Sequence, residues 1–141
     1  QMGFKKIKVF NRTFPNIKNL NQEENSKHST IEAYKLEDLS KHTNHKENTK
    51  DGASLIVNTT PKNIFGNSKK WNTGPNTRGF DIVYRPYEGT GFLKHFEPKN
   101  RIEGIRMLVY QAAPCFSMWF GKNPKIDEGL YKTLYKKMGI N

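Results

Sequence analysis

Cysteine is almost missing from this chain: Cys115 is the only one among 141 residues. A lone thiol excludes an intrachain disulfide and a cysteine-based zinc site, so burial of a core must hold the fold. Long apolar runs are missing too. The most hydrophobic stretch, Met107 to Phe120, is shorter than the ~20 residues a membrane-spanning helix needs, and Gln111, Pro114 and Ser117 interrupt it. No signal-peptide pattern is visible, which is compatible with a cytoplasmic site of action, and the opening Gln1 suggests a fragment of a longer protein. There is no internal repeat, no glycine-rich phosphate loop, no Gly-x-Ser-x-Gly elbow and no RNA-recognition signature.

Acidic side chains are scarce. Thirteen Asp and Glu stand against 24 Lys and Arg, a net charge of +11 and a pI near 9.8. Residues 1–52 carry 10 basic and 7 acidic groups, a balance of +3; residues 53–141 carry 14 and 6, a balance of +8. Such a field attracts polyanions, and the second half is the expected contact surface. Mean hydropathy is only −0.85. The apolar content is nevertheless concentrated in 9 Phe, 6 Tyr and 2 Trp, large side chains that disordered segments lack, so the chain is expected to fold as a single basic domain over 1–141.

Taken in order, Phe4 to Phe10 reads as a short strand, and 11–29, poor in apolar residues, as a flexible linker. Asn11-Arg12-Thr13 and Asn58-Thr59-Thr60 match the N-glycosylation pattern, which chance explains in a chain so rich in Asn and Thr. Ser29-x-x-Glu32 has capping-box spacing and predicts a helix over about 30–40, with a strand over Thr30 to Leu36 as the alternative. Residues 41–52 contain no apolar side chain and read as a solvated loop, so the pair His42 and His45 is not expected to hold a metal. Ala53 to Val57 predicts a buried strand. The segment 61–78 has no acidic residue: Lys62, Lys69, Lys70 and Arg78 interleave with Phe65 and Trp71. Cations beside rings suit phosphates and stacked bases, although the rings could equally anchor the loop to the core. Arg101 to Tyr110 fits strand or helix, its Leu108-Val109-Tyr110 end favouring strand, and after the break at Pro114 Phe116 to Phe120 reads as another strand. Asp127 predicts the cap of a terminal helix marked by Leu130, Leu134 and Met138.

The centre of this reading is Gly79 to Arg85 and Phe92 to Lys99, two runs joined by Pro86-Tyr87-Glu88-Gly89-Thr90-Gly91. The pattern predicts a β-hairpin, and with it an α+β fold: an antiparallel sheet of about five strands, an early helix and a C-terminal helix. Asp81, then Glu97 and Lys99 across the turn, resembles the core of the PD-(D/E)XK nuclease superfamily over about twenty residues. The resemblance implies Mg²⁺ held by Asp81 and Glu97, with Lys99 activating water against a phosphodiester. A metal-free ribonuclease using His95, flanked by Lys94 and near Lys99 and Arg101, is a second catalytic reading. The third is non-catalytic: an RNA- or DNA-binding or nucleoprotein module using the 61–78 loop, Arg85, Arg101 and the terminal helix, or a module that meets a protein partner through the aromatic patch around Trp119. Enzyme and binder both remain open at this point.

Overall fold

The computed structural model describes residues 4–20, 30–43, 53–60, 65, 71–84 and 90–139. The chain divides into two compact units, Gln1–Ala53 and Ser54–Asn141.

In the first unit, β1 (Lys6–Asn11) pairs in parallel with β2 (Thr30–Lys35), in a register that runs from Lys6 opposite Thr30 to Asn11 opposite Lys35. A parallel pair needs a long crossover, and 12–29 supplies it, beginning with a 3₁₀ turn at Phe14–Asn16. Residues 21–29, the second half of the predicted linker, lie outside the described residues. After β2 come a 3₁₀ turn, Leu36–Asp38, and the short helix α1 (Leu39–Thr43). The helix expected over 30–40 is therefore corrected: its first half is a strand. Strand alternation puts Lys6, Lys8 and Phe10 on one face with Glu32 and Tyr34. Pairing across that face outweighs the local capping signal.

The second unit is built on a three-stranded parallel sheet in the order β3 (Leu55–Asn58), β4 (Arg78–Asp81), β5 (Arg101–Ile102). Two helices come after the sheet, α2 (Gly104–Phe120) and α3 (Glu128–Lys137). Asp127 caps α3 as expected, its Oδ1 accepting the Leu130 N–H at 2.9 Å. The core is aromatic. Trp71, Phe92, Leu93 and Phe96 are buried with Ile105 and Val109 from α2.

All strand pairs are parallel, so the fold is α/β, and the antiparallel α+β sheet is corrected. The hairpin does not form. β4 ends at Asp81, whose Oδ1 accepts the Val83 N–H at 3.0 Å and turns the chain out of the ladder. Phe92, Leu93 and Phe96 are spaced to bury together in a 3₁₀ turn, Leu93–His95, rather than on a strand. Gly79 makes this possible, because the Phe96 ring fills the space a Cβ would need. The strands predicted within 101–120 are also corrected. Only Arg101–Ile102 is extended, and the rest is α2, which carries Pro114 in its interior. Among the described residues no helix is long and apolar enough to cross a membrane.

Candidate functional site

In a parallel sheet the carboxyl ends of all strands share one edge, and in open α/β folds ligands bind there. Each unit presents such an edge, and the two edges differ.

In the second unit the edge is sealed by polar side chains. Asp81 ends β4 opposite Asn58, which ends β3. Its carboxylate is fully buried and accepts from Asn58 Nδ2 (3.0 Å), the Val83 N–H (3.0 Å) and the Thr90 hydroxyl. Thr90 Oγ1 accepts the Leu93 N–H at 3.2 Å, and Asn58 Oδ1 accepts from both the Thr60 N–H (3.1 Å) and the Thr60 hydroxyl (2.7 Å). Buried charge tolerated in this way is charge fully paired by donors. Both Asp81 oxygens are thus engaged in fixing the chain after β4.

The other predicted residues are scattered. Glu97 is exposed and leads into a 3₁₀ turn, Pro98–Asn100, that carries the exposed Lys99. His95 is buried, its Nδ1 accepting the Trp71 N–H at 3.1 Å and its ring stacked on the Trp71 indole at 4.0 Å. That bond assigns the ring proton to Nε2. Phe65 meets Trp71 edge-on at 5.4 Å within the aromatic core. Arg78 is exposed at the start of β4, and the Arg101 Nε–H donates to the Phe96 carbonyl at 2.9 Å. Lys62, Lys69, Lys70 and Arg85 lie outside the described residues. Among the described residues no three His, Cys, Asp or Glu side chains gather into a metal-binding group.

In the first unit the edge is open and basic. β1 ends at Asn11, and Asn11 Oδ1 accepts the Thr13 N–H at 2.8 Å, folding Asn11-Arg12-Thr13 into a tight side-chain-locked turn. Arg12 is exposed and has no ion-pair partner among the described residues. Lys35 ends β2 opposite Asn11 in register, in a loose, exposed pair with Glu37 at 3.6 Å. The last residue of β1 and the two after it carry no carboxylate. On the aromatic face just inside this edge, Phe10 stacks on Tyr34 at 5.3 Å and His42 lies 4.3 Å from Tyr34. Lys8 Nζ donates to His42 Nδ1 at 3.2 Å. Burial first, then the Lys8 ammonium, lowers the His42 pKa below its ordinary value and favours a neutral ring. The Lys6 ammonium at 2.8 Å and the Tyr34 hydroxyl at 2.7 Å hold the Glu32 carboxyl below the usual carboxylate range.

Sequence reasoning missed this edge, because Arg12 sits inside a glycosylation-like triplet that reads as a chance match. The signal that could have found it is a short strand ending in Asn-Arg-Thr, with a linker after it long enough for a parallel crossover.

Relatives of this chain in sequence are named shikimate dehydrogenases. The chain is 36% identical over 96 residues to the shikimate dehydrogenase (NADP(+)) of Sinorhizobium fredii, a match covering 64% of this chain and 33% of that protein. It is 32% identical over 144 aligned positions to the Streptococcus mutans protein of the same name, covering 96% of this chain and 48% of that protein. The chain thus spans about a third to a half of the length of the curated relatives it matches. The ligand-free 5-ketofructose reductase of Gluconobacter sp. strain CHM43 shares the fold, with a TM-score of 0.60 at 20% identity over 86% of this chain and 44% of that one. No protein-family model matches the chain.

These relatives overturn the nuclease resemblance, the RNA or DNA partner and the Mg²⁺ expectation, since they are oxidoreductases named for NADP. The physical reason lies in the motif's geometry. The Asp-x15-Glu-x-Lys spacing makes a shared site only if its residues lie on paired strands. Here Asp81 closes a parallel strand while Glu97 and Lys99 stand on a turn.

Proposed function

We propose that this chain is the nucleotide-binding part of an NADP-dependent oxidoreductase of the shikimate dehydrogenase kind, acting in the cytoplasm, where a lone thiol such as Cys115 stays reduced. The observation that carries the reading is Arg12, exposed at the carboxyl edge of a parallel sheet. In dinucleotide-binding folds an acid at such a strand end bonds the ribose 2′-hydroxyl and selects NAD, whereas an arginine accommodates the 2′-phosphate of NADP. Here the strand ends in Asn11 and Arg12 follows, so this strand end offers the fork of a guanidinium where an acid would repel the phosphate.

The residues present fit the adenosine end of that cofactor. Arg12 would pair with the 2′-phosphate, the Asn11–Thr13 turn would hold the arginine's backbone in place, and Lys35 would add positive potential from the neighbouring strand end. When bound, NADP supplies the site that accepts or donates a hydride. The network around Asp81 contributes by fixing the chain that leaves β4, the carboxyl edge of the second sheet. Shikimate as the substrate rests on the names of the relatives.

Titration of the 141-residue chain with NADPH and NADH, monitored by cofactor fluorescence, tests the reading. A charged hydrogen-bond pair contributes roughly 1.5–3 kcal/mol, so NADPH should bind about 10- to 100-fold more tightly than NADH. Equal binding of the two, or binding of neither, overturns it.

A further inference from the structure

His95 is 3% exposed, and the NADP reading gives it no role. It ends the 3₁₀ turn Leu93–His95, and three contacts tie Trp71–Thr73 to it. Its Nδ1 accepts the Trp71 N–H at 3.1 Å, its ring lies flat on the Trp71 indole at 4.0 Å with 8° between the planes, and its carbonyl accepts the Thr73 hydroxyl at 3.2 Å. Phe92 and Phe96 meet the same indole edge-on at 5.8 and 6.3 Å. Residues 74–77 are held separately: Asn100 Nδ2 donates to the Pro75 carbonyl at 2.7 Å, and the Thr77 N–H donates to the Gly74 carbonyl at 3.0 Å. Trp71–Thr73 can therefore come away without disturbing the entry into β4.

We infer that His95 is a proton-released clasp: as a neutral ring it pins Trp71–Thr73 to the aromatic core of the second unit, and on taking up a proton it lets that segment go. The reason is the polarity of the bond. Nδ1 accepts only while it carries no proton, whereas both nitrogens of an imidazolium donate, so a protonated His95 would set a donor against the Trp71 N–H. Burial of the cation adds to the cost. Stacking on the indole offsets part of it, since a cation is attracted to a tryptophan face, but supplies no acceptor for the stranded amide.

The charged groups on the surrounding elements do not favour a further cation. They are Arg78 and Asp81 of β4, Lys94 in the turn itself, Glu97 and Lys99 after it, Arg101 of β5 and Arg106 of α2; Trp71–Thr73 contributes none. Asp81 is engaged by Asn58, Val83 and Thr90, Arg101 bonds the Phe96 carbonyl, and Arg106 lies over the Tyr131 ring. Arg78, Lys94, Glu97 and Lys99 are exposed. Release stays local because the network around Asp81, which contains no histidine, fixes the ends of β3 and β4. This inference is independent of the NADP reading.

Amide exchange of the 141-residue chain, corrected for the intrinsic rate at each pH, tests the clasp. Only the open segment takes up the proton, so protection of the Trp71 N–H should be constant above about pH 6.5 and fall by about tenfold for each pH unit below it, while the amides of β3 and β4 keep theirs. His95→Asn, whose side-chain oxygen replaces Nδ1 as acceptor and takes up no proton in this range, should hold the segment throughout. His95→Phe, which keeps a ring and loses the acceptor, should leave the Trp71 amide unprotected even in the neutral range. In a Trp119→Phe chain, where Trp71 is the remaining tryptophan, emission should move to the red as the pH falls. Trp71 protection that ignores pH, that falls together with β3 and β4, or that still falls in His95→Asn overturns the inference. So does a protected Trp71 amide in His95→Phe, or an emission that stays where it was.

Discussion

The two parallel sheets obey the same topological rule and are held by opposite means. In Gln1–Ala53 the sheet is held at its surface: the Lys6–Glu32 ion pair, the Tyr34–Glu32 hydrogen bond and the Phe10–Tyr34–His42 stack are all partly exposed, and among the described residues its buried apolar side chains are Ile17 and Leu39. In Ser54–Asn141 the sheet is held from inside, by a buried carboxylate with all its donors and an aromatic cluster. Exposed pairs contribute little each, whereas a buried charge stripped of partners is costly. The contrast therefore predicts a robust second unit and a first unit that gains stability from a bound ligand. On the proposed reading it also separates roles, with an open basic edge for binding and a sealed edge for shape.

The largest effect should come from the sealed edge. Asp81→Ala leaves Asn58 Nδ2, the Val83 N–H and the Thr90 hydroxyl without their acceptor and should cost about 3 kcal/mol or more, measured by urea denaturation. A neutral outcome would mean that the second unit is not held from within. Next is Gly104→Ala. A Cβ there would collide with the Ile82 carbonyl, which is backbone and cannot rotate away, for a loss of about 1–3 kcal/mol in the same experiment.

Arg12→Ala addresses the open edge. It should weaken NADPH binding about 10-fold or more, leave NADH binding unchanged and leave the urea midpoint of the second unit where it was. Equal losses for both cofactors would show that Arg12 acts through the fold instead of through the phosphate.

The smallest effect is a difference in acid sensitivity. The folded His42 has a lowered pKa, so its contribution is complete above the ordinary value near 6.5 and fades as pH falls toward the lowered one, because the unfolded chain takes up a proton that the folded chain resists. Glu32 is likewise depressed, and its contribution is complete above roughly pH 4.3 and lost as pH falls through its folded value. Amide exchange should therefore show β1 and β2 loosening first as pH drops below about 6.5. Simultaneous loosening of β3 and β4 would erase the distinction between the units.

The sequence is legible wherever a signal is local. The α3 cap at Asp127 and the strands at Lys6–Asn11 and Leu55–Asn58 arise from side-chain spacing within a few residues. The expected hairpin fails because Phe80 to Val83 has strand composition, yet Asp81 redirects the backbone after one more residue. The α2 helix looks like two strands because Leu108-Val109-Tyr110 and Phe116 to Phe120 are rich in β-branched and aromatic residues, while their three- and four-residue recurrence is visible only across the whole 17-residue span. Composition gives Phe65 and Trp71 equal weight as base-stacking or core residues; Trp71 is 8% exposed and sits among Phe92, His95 and Phe96.

The sequence by itself determined the charge of +11, the absence of disulfide support, the aromatic supply for a core and the capped terminal helix, since each depends on composition or on neighbours along the chain. Only the tertiary structure decided that the strands run parallel, that Asp81 is an internal anchor and that Arg12 stands at an open strand edge. Strand direction and edge position are set by pairing between segments some twenty residues apart, and no local pattern encodes which partner a strand takes.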